Sequence, residues 1–321
     1  MRFFLADLHV HTCLSPCAEL EMLPELIVER AQALGLRVIA VTDHNSAENA
    51  AAVINAARGT GITVLPGMEV QTREEVHILA LFDTLEQVAS WQEQVYASLP
   101  PLKNDGAVFG EQVLLDADGK PVGYLDRLLL TSTTLSVEEI VQRVSGLNGL
   151  CIPAHVDRPA YSIISNLGFI PPELNVVGVE ISHNVGPLEA RGRFPQLKRY
   201  GLVGSGDAHR LQDIGRRTTL KVAEATVAEL SLALAGRDGR EVWVDGVSSV
   251  RVPPPSPSQE PVLSKAKEQE SGVRAASPLP SLGDESGVRA ASPLPALGDE
   301  SGVRAASPLP SLGEGSGVRA S

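Results

Sequence analysis

The sequence predicts an α/β barrel built like a (β/α)8 fold, with one unit missing or irregular. Short apolar runs alternate with amphipathic stretches over residues 1–249. This alternation is typical of parallel strands joined by right-handed helical crossovers. Seven or eight such units fit into about 250 residues, which is the usual length of this kind of barrel. An open doubly wound sheet is the structural alternative.

The predicted elements follow one another along the chain. The strand-like runs are Phe3–Ala6, Arg37–Val41, Ile62–Leu65, Val76–Phe82, Leu150–Ala154, Val176–Ile181, Leu202–Gly204 and Val242–Val244. The helix-like stretches are Pro24–Leu34, Ala47–Ala57, Leu85–Ala97, Val137–Leu147, Leu188–Tyr200 and Val227–Ala235. Residues 103–134 interrupt the alternation, because the turn sequence Asp116–Gly119 lies between two short strand-like runs. We expect an inserted β-hairpin there, at the edge of the functional site or above it as a lid.

Residues 250–321 differ from the rest in composition. Eleven of the 23 prolines lie from Pro253 onward, and from Ser271 a unit of 15 residues repeats. Each copy has too few large apolar residues to offset the entropy of ordering it. We therefore predict a domain at 1–249, with its boundary near Ser249, followed by a Pro-rich linker and a disordered repetitive tail over 250–321.

Charge and cysteine content exclude several classes of protein. Residues 251–321 hold 7 basic and 8 acidic side chains, so the first 250 residues hold 20 basic and 31 acidic ones. This acidic balance does not favour stable nucleic-acid binding, which needs an excess of Lys and Arg. The three cysteines form no disulfide framework and fit a reducing compartment. No run of 18 apolar residues and no secretory signal is evident, so we expect a cytoplasmic protein without a membrane span.

The histidines fall at one kind of position. All seven lie on or just after a predicted strand: His9, His11, His44, His77, His155, His183 and His209. Asp7, Asp43, Glu69 and Asp207 occupy similar positions. Because parallel strands end at one face of a barrel, these side chains should converge there. Imidazoles and carboxylates together favour Zn²⁺, Mn²⁺ or Fe²⁺ over Ca²⁺ or Mg²⁺.

Three residues near this cluster have open roles. Asp7 suits an acceptor that orients His9 better than it suits a ligand. Cys17 is either a metal ligand or a small residue beside the site. For His183, substrate contact, metal ligation and a structural role are equally open.

The motifs around these residues resemble the PHP (polymerase and histidinol phosphatase) family. They are Asp7–Thr12, Ala40–His44, Pro66–Glu69, His77–Phe82, Pro153–His155 and Ser205–His209, in the family's order. The resemblance implies a distorted (β/α)7 TIM-like barrel with a centre of two or three divalent metal ions that hydrolyses phosphate esters.

Carried over by position, the resemblance assigns the ligands. It places His9, His11, Glu69 and Asp207 around one metal. Glu69 would bridge to a second metal that His77 and His155 also hold. A third would be bound by His44, His209 and the residue that is often His or Asp in relatives, which here is Cys17.

The chemistry that follows is hydrolysis by a metal-bridging hydroxide, with no serine or cysteine nucleophile. Glu69, Asp43 and His183 are the candidate catalytic residues, the last two as general acids, with a metal-bound water as the third option. Arg158 and Arg210 are placed to bind the phosphate of a small phosphorylated substrate.

We therefore expect a metal-dependent phosphoesterase acting on a small phosphomonoester or nucleotide. An amidohydrolase-like C–N hydrolase, a non-catalytic metal-binding accessory module and an exonuclease acting on oligonucleotides are the alternatives. Against the C–N hydrolase, this sequence has no lysine that is obviously placed to bridge two metals, and Glu69 fills that role instead. The sequence does not determine the oligomeric state.

Overall fold

A computed structural model describes residues 1–248. The strands are β1 (Arg2–Val10), β2 (Val38–Val41), β3 (Thr63–Gln71), β4 (His77–Leu81), β5 (Val113–Leu115), β6 (Pro121–Tyr124), β7 (Leu150–Pro153), β8 (Gly178–Ile181), β9 (Gly201–Gly204), β10 (Thr218–Val222), β11 (Glu241–Val244) and β12 (Val247–Ser248). The α-helices are α1 (Pro24–Ala33), α2 (Ala50–Ala56), α3 (Leu85–Ser98), α4 (Gly106–Phe109), α5 (Val137–Gly146), α6 (Ile163–Leu167), α7 (Pro187–Arg193) and α8 (Val227–Ala235). Two 3-10 helices cover Pro195–Arg199 and Leu211–Asp213. The predicted tail over 250–321 and the boundary near Ser249 lie outside the described residues.

The fold is α/β, around a sheet of eight strands in the order β12-β11-β10-β1-β2-β3-β4-β7. β8 and β9 form a separate parallel pair. Each predicted strand-like run overlaps an observed strand. β10 was missed because Thr218–Val222 alternates polar and apolar residues instead of forming an apolar run. The fold agrees with a TIM-like α/β arrangement in its general form.

The expectation of parallel pairing throughout is wrong. β1 pairs with β2, and β2 with β3, in parallel. However, β4 runs antiparallel to both of its neighbours, and β10 runs antiparallel to β1 and β11. Five residues, 72–76, link β3 to β4, and a parallel connection needs about a dozen or more. The start of β4 therefore lies beside the end of β3, with His77 opposite Gln71.

The helices cover the sheet with apolar faces that their sequences specify. In α5, Val137, Ile140, Val141 and Val144 are buried at the spacing of one helix face. Ser136 forms a capping box with Glu139 at the start of this helix. The predicted helix Leu188–Tyr200 is instead two short helices, because Pro195 cannot continue an α-helix.

The insertion over 103–134 contains the hairpin β5–β6, whose strands are antiparallel. It packs on the loop that follows β1: the Val113 amide donates to the Cys13 carbonyl over 3.1 Å. The Asn49 side chain also joins it, donating to the Val113 carbonyl over 3.0 Å and accepting from the Leu115 amide over 3.0 Å. The insertion thus supports the loop that carries Cys17 from one side.

None of the helices within the described residues has the length and apolar character required to cross a membrane.

Candidate metal centre

The histidines and acids converge at one edge of the sheet. His9 lies in β1 and Glu69 in β3, whereas His44, His155 and Asp207 follow β2, β7 and β9. Backbone bonds hold the loops in place: the amides of Ala208 and His11 bond to the carbonyls of His9 and Ala208, each over 3.0 Å. The antiparallel direction of β4 brings His77, its first residue, to the same edge.

Glu69 is the centre of the cluster and is 1% exposed. Five imidazole nitrogens surround its carboxylate at 2.8 to 3.5 Å, from His77, His44, His155, His9 and His11. Burial favours the neutral form of Glu69, but the charges of His77, His9 and His44 and a hydrogen bond from His155 hold its pKa well below the usual value. The carboxylate is therefore ionised and faces nitrogens from four strands or their loops.

Three sets of side chains have ligand atoms close enough to share a metal ion. They are His9, His11, Glu69 and Asp207; His44, Glu69 and His77; and His11, His44 and His209, each with all its ligand atoms within 4.8 Å. Within these sets Glu69 Oε2 and Asp207 Oδ1 are buried and accept no hydrogen bond. Buried carboxylate oxygens that accept no hydrogen bond are costly unless a cation satisfies them. The donor set therefore fits divalent metal ions.

Glu69, Asp207 and His11 have the protonation states that metal ligands need. Burial would raise the pKa of Asp207, but the charge of His9 and the neighbouring imidazole of His11 hold it well below its usual value. Burial and the neighbouring charge of His209 lower the pKa of His11, so that its imidazole is neutral. Neutral imidazole and ionised carboxylate are the forms that bind metals.

Cys17 lies at the exposed side of the cluster. Burial of its sulfur raises the pKa, but hydrogen bonds with His209 and His44 outweigh this and lower the thiol pKa to about 6. The thiolate is the metal-binding form of cysteine. The predicted third set of His44, His209 and Cys17 thus brings its side chains together, with the ring of His11 stacked on that of His209 at 4.1 Å between centroids.

A layer of buried acceptors lies behind the ligands. Asp7 accepts hydrogen bonds from the amides of Gly206 and Gly215 over 3.0 and 2.8 Å, and from that of His9 over 3.3 Å. It therefore ties β1 to the loop that carries Asp207. It contacts His9 at the backbone amide, whereas the imidazole that it was expected to orient is held by Glu180. Burial raises its pKa to about 6.

Asp43 does not face the cluster as a general acid would have to. Its carboxylate accepts from the Thr12 amide and from the hydroxyls of Thr12 and Ser15, each over 2.7 Å, and it is fully buried. Ser15 in turn bonds His11 Nδ1 over 2.9 Å. The structure therefore gives Asp43 the place of a residue that orients His11 through Ser15, and we correct the expectation accordingly.

The cluster opens into a cavity of about 320 Å³, here called the site cavity. Its lining comprises His44, Glu69, His77, His155, Arg158, Pro159, Ala160, Tyr161, Asp207 and His209. Arg158 lines this cavity, with Nη1 2.6 Å from Asp207 Oδ2. No residue of the insertion over 103–134 belongs to this lining, so among the described residues the insertion is not a lid.

Two other candidates lie elsewhere. Arg210 is in extended backbone next to His209, and its side chain is 59% exposed and pairs with Glu19 over 3.1 Å. Adjacent side chains of an extended segment point in opposite directions, so Arg210 turns away from the cavity when His209 turns toward the cluster. His183 is exposed and lines a separate cavity of about 340 Å³ that shares Asp207 with the first. Neither residue lines the site cavity. We therefore correct the expectation that Arg210 contacts a phosphate there, whereas a catalytic role of His183 stays a prediction.

Two residues of the site were missed from the sequence. Tyr161 stacks on His77 with 4.7 Å between ring centroids, and its carbonyl accepts from the His77 amide over 3.0 Å. No sequence signal marks it. Glu180 is buried and accepts from His9 Nδ1 over 3.0 Å. Its signal was available, because a carboxylate inside the apolar run Val176–Ile181 must find a partner when buried.

One protein-family model matches part of the chain. Residues 7–149 match the family model of the PHP domain. No curated protein sequence matches the chain.

The fold of this chain is similar to that of several solved structures. The lesion-specific endonuclease PfuEndoQ from Pyrococcus furiosus has a TM-score of 0.55 at 20% identity, and the match covers 75% of this chain and 58% of that one. Endonuclease Q bound to a 27-mer duplex with an abasic lesion has a TM-score of 0.55 at 19% identity, with the same coverage of 75% and 58%. A two-domain protein containing a predicted PHP-like metal-dependent phosphoesterase from Bacteroides vulgatus has a TM-score of 0.44 at 15% identity, covering 76% of this chain and 65% of that one.

The chain thus spans less than two thirds of the first two structures. The second of them was solved with a 27-mer duplex substrate, whereas we expected no stable nucleic-acid binding by this chain.

Proposed function

We propose that the chain is a metal-dependent phosphoesterase of the PHP domain family, whose model matches residues 7–149, and that it acts on a small phosphomonoester or nucleotide. The observation that carries the proposal is the arrangement around Glu69, where imidazole nitrogens surround a buried carboxylate. One of its oxygens, and one of Asp207, accept no hydrogen bond from the protein. This is a cluster built to hold cations rather than to stabilise the fold by its own contacts.

The proposed ligands fall into three sets, the first two of which share Glu69. His9, His11, Glu69 and Asp207 would hold one ion, and Glu69, His77 and His155 a second. His44, His209 and Cys17 would hold a third. Mn²⁺, Zn²⁺ and Fe²⁺ fit the mixture of imidazole and carboxylate, and the thiol of Cys17 would shift the third position toward Zn²⁺.

Bound divalent ions supply the activation of water and the neutralisation of charge that phosphate ester hydrolysis needs. The protein adds Arg158 in the wall of the site cavity, where a guanidinium is suited to hold two phosphoryl oxygens. Its ion pair with Asp207 Oδ2 orients this side chain beside the cluster. Arg158 would thus place the phosphate against the ligand-bearing edge of the sheet.

The size and charge of the molecule support a small substrate. The site cavity has a volume of about 320 Å³, which is near the lower limit of ordinary small-molecule pockets. The first 250 residues carry 31 acidic against 20 basic side chains, so a long polyanion would meet unfavourable charge. Hydrolysis at the end of an oligonucleotide stays within this proposal, because a terminal nucleotide would present the same phosphate to the cavity.

The structural similarity to DNA-cleaving endonucleases raises a second candidate, cleavage within a DNA strand. At 20% identity that similarity concerns the fold. Cleavage of a duplex carrying an abasic site is therefore a separate arm of the test.

The test is a substrate panel assayed with the metal-stripped protein to which Mn²⁺, Zn²⁺ or Fe²⁺ is returned. It contains nucleoside monophosphates, sugar phosphates, single-stranded oligonucleotides, a duplex with an abasic site and cyclic amides. We expect release of inorganic phosphate from one or more phosphomonoesters only when metal is present. Hydrolysis of the amides alone would replace the proposal with the C–N hydrolase, and metal uptake without any hydrolysis would replace it with an accessory module.

A further inference from the structure

Glu180 lies where the main sheet stops. The eight-stranded sheet ends at β7, and β8 pairs with β9, so that within the described residues no strand ladder joins β7 to β8. The segments 155–157 and 180–182, which we call the β7–β8 seam, are connected instead by individual hydrogen bonds. The Val156 amide donates to the Glu180 carbonyl over 2.9 Å. Asp157 accepts from the amide and hydroxyl of Ser182 over 2.7 and 2.6 Å.

One oxygen of Glu180 holds two members of the histidine cluster. Its Oε2 accepts from His9 Nδ1 over 3.0 Å and from the backbone amide of His155 over 3.0 Å. The residue is 1% exposed, so water does not compete for these bonds. They are charge-assisted, which makes them stronger than bonds between neutral groups.

The bond to His9 determines which nitrogen faces the cluster. Because Nδ1 is engaged by the carboxylate, Nε2 points at the other ligands, 3.2 Å from Asp207 Oδ1 and 3.4 Å from Glu69 Oε1. A carboxylate behind an imidazole fixes its tautomer and increases its basicity as a ligand.

The bond to His155 acts on the backbone. His155 has φ of +28°, a conformation that a residue with a side chain adopts only when its surroundings enforce it. The bonds from the amides of His155 and Val156 to Glu180 hold the backbone here, together with the bond from the Arg158 amide to the His155 carbonyl over 2.9 Å. They place His155 Nε2 3.1 Å from Glu69 Oε1, on the side of Glu69 where His77 also lies.

We infer that Glu180 is a positioning residue that couples two metal positions, because it orients His9 for one and His155 for the other. This inference rests on the proposed function only in requiring that the cluster binds metal. It differs from a purely structural role of the seam, since Asp157 also joins the seam but its bonds run to Ser182.

The experiment compares the full-length wild type with Glu180→Ala, Glu180→Gln and Asp157→Asn. Each protein is stripped of metal and titrated with Co²⁺, and the visible absorption of the bound ion and its stoichiometry are recorded. In Glu180→Ala both binding steps should weaken together, by about 10- to 100-fold. Glu180→Gln keeps an acceptor oxygen but not its charge and should lie between Glu180→Ala and wild type. Asp157→Asn should bind Co²⁺ with affinities and a spectrum like those of the wild type.

Each contrary result has a definite meaning. If Glu180→Ala binds Co²⁺ with wild-type affinity at either step, Glu180 does not couple the two metal positions. If Asp157→Asn weakens Co²⁺ binding as much as Glu180→Ala does, the effect belongs to the β7–β8 seam as a whole, and the inference is again overturned. If Glu180→Ala does not fold, unchanged affinities in Glu180→Gln overturn the inference, and weakening at both steps supports it. Wild-type protein that binds Co²⁺ but hydrolyses no phosphate ester refutes the proposed function and leaves the role of Glu180 standing.

Discussion

The two sides of the histidine cluster differ in how firmly their side chains are held. On the anchored side, formed by His9, His11 and Glu69, each imidazole has a buried partner behind it, Glu180 for His9 and Ser15 for His11. On the open side, formed by His44, His209 and Cys17, Cys17 is exposed and the His209 side chain is 25% exposed. His209 Nδ1 bonds a backbone oxygen, that of Asp207, over 2.9 Å.

This difference has a thermodynamic consequence. Ligands that are already oriented lose little freedom when a metal binds, so preorganisation increases affinity. The anchored side should therefore retain its ions through dialysis, whereas an ion on the open side should exchange. Both sides reach the site cavity, since Glu69 of the anchored side and His44 and His209 of the open side line it.

The largest expected effect comes from Glu69→Gln, which damages the anchored side. The change removes the charge that faces five imidazole nitrogens and weakens more than one ligand set. We expect phosphate release to fall by more than about 100-fold, beyond what loss of a residue behind a ligand causes. Metal content after dialysis and initial rates measure this, with the exposed Glu173→Gln as the matched control. A Glu69→Gln protein that keeps both its metal and a tenth of the activity would contradict the central place of Glu69.

Substitutions of Arg158, which lines the site cavity, test whether the cavity wall binds the phosphate of the substrate. Arg158→Ala should raise KM for a phosphomonoester about tenfold or more, because a charge-assisted bond to the phosphate is lost. Arg158→Lys should recover part of this, since lysine keeps the charge but not the planar fork.

Arg210→Ala is the control for this prediction, because Arg210 pairs with Glu19 outside the cavity. Steady-state kinetics of the three variants separate KM from kcat. An equal rise of KM in Arg210→Ala would show that these arginines act through the overall field instead of by contact.

The open side is tested by Cys17→Ser. Replacing a thiolate by a hydroxyl removes a soft ligand, so affinity for a third Zn²⁺ should fall about tenfold, while the ions of the anchored side remain. Cys151→Ala changes a buried cysteine of β7 and controls for loss of a thiol elsewhere. Zn²⁺ titration of both variants, followed by metal analysis, measures the effect. Unchanged uptake in Cys17→Ser would show that Cys17 is not a ligand.

The sequence predicted the cluster better than it predicted the sheet that carries it. The positions of the ligands follow from one local rule, that a polar residue directly after an apolar strand lies at the sheet edge, and this rule places His11, His44, His155 and Asp207 correctly. Strand direction depends on connections between elements. The sequence pattern therefore did not show that β4 is antiparallel, and it is this direction that brings His77, the first residue of β4, to the edge.

Roles that depend on side-chain direction were not predictable. Asp43 and Glu180 are both carboxylates associated with strands, yet one joins Thr12 and Ser15 and the other joins His9 and His155. Arg158 and Arg210 each follow a histidine closely, but only the first lines the site cavity. Such distinctions arise from packing between segments far apart in sequence, which periodicity does not encode.

The smallest expected effect is that of truncation after Val250. Both sides of the cluster and the whole lining of the site cavity are formed by residues between His9 and His209. The shortened chain should therefore keep its metal content and turn over substrate within about twofold of the full chain, since changes remote from the reacting groups leave their arrangement intact. Parallel assays of the two proteins, with thermal unfolding to verify that both are folded, measure this. A truncated protein that is folded but inactive would mean that residues 251–321 take part in the reaction. The two sides of the cluster would then not be sufficient for activity.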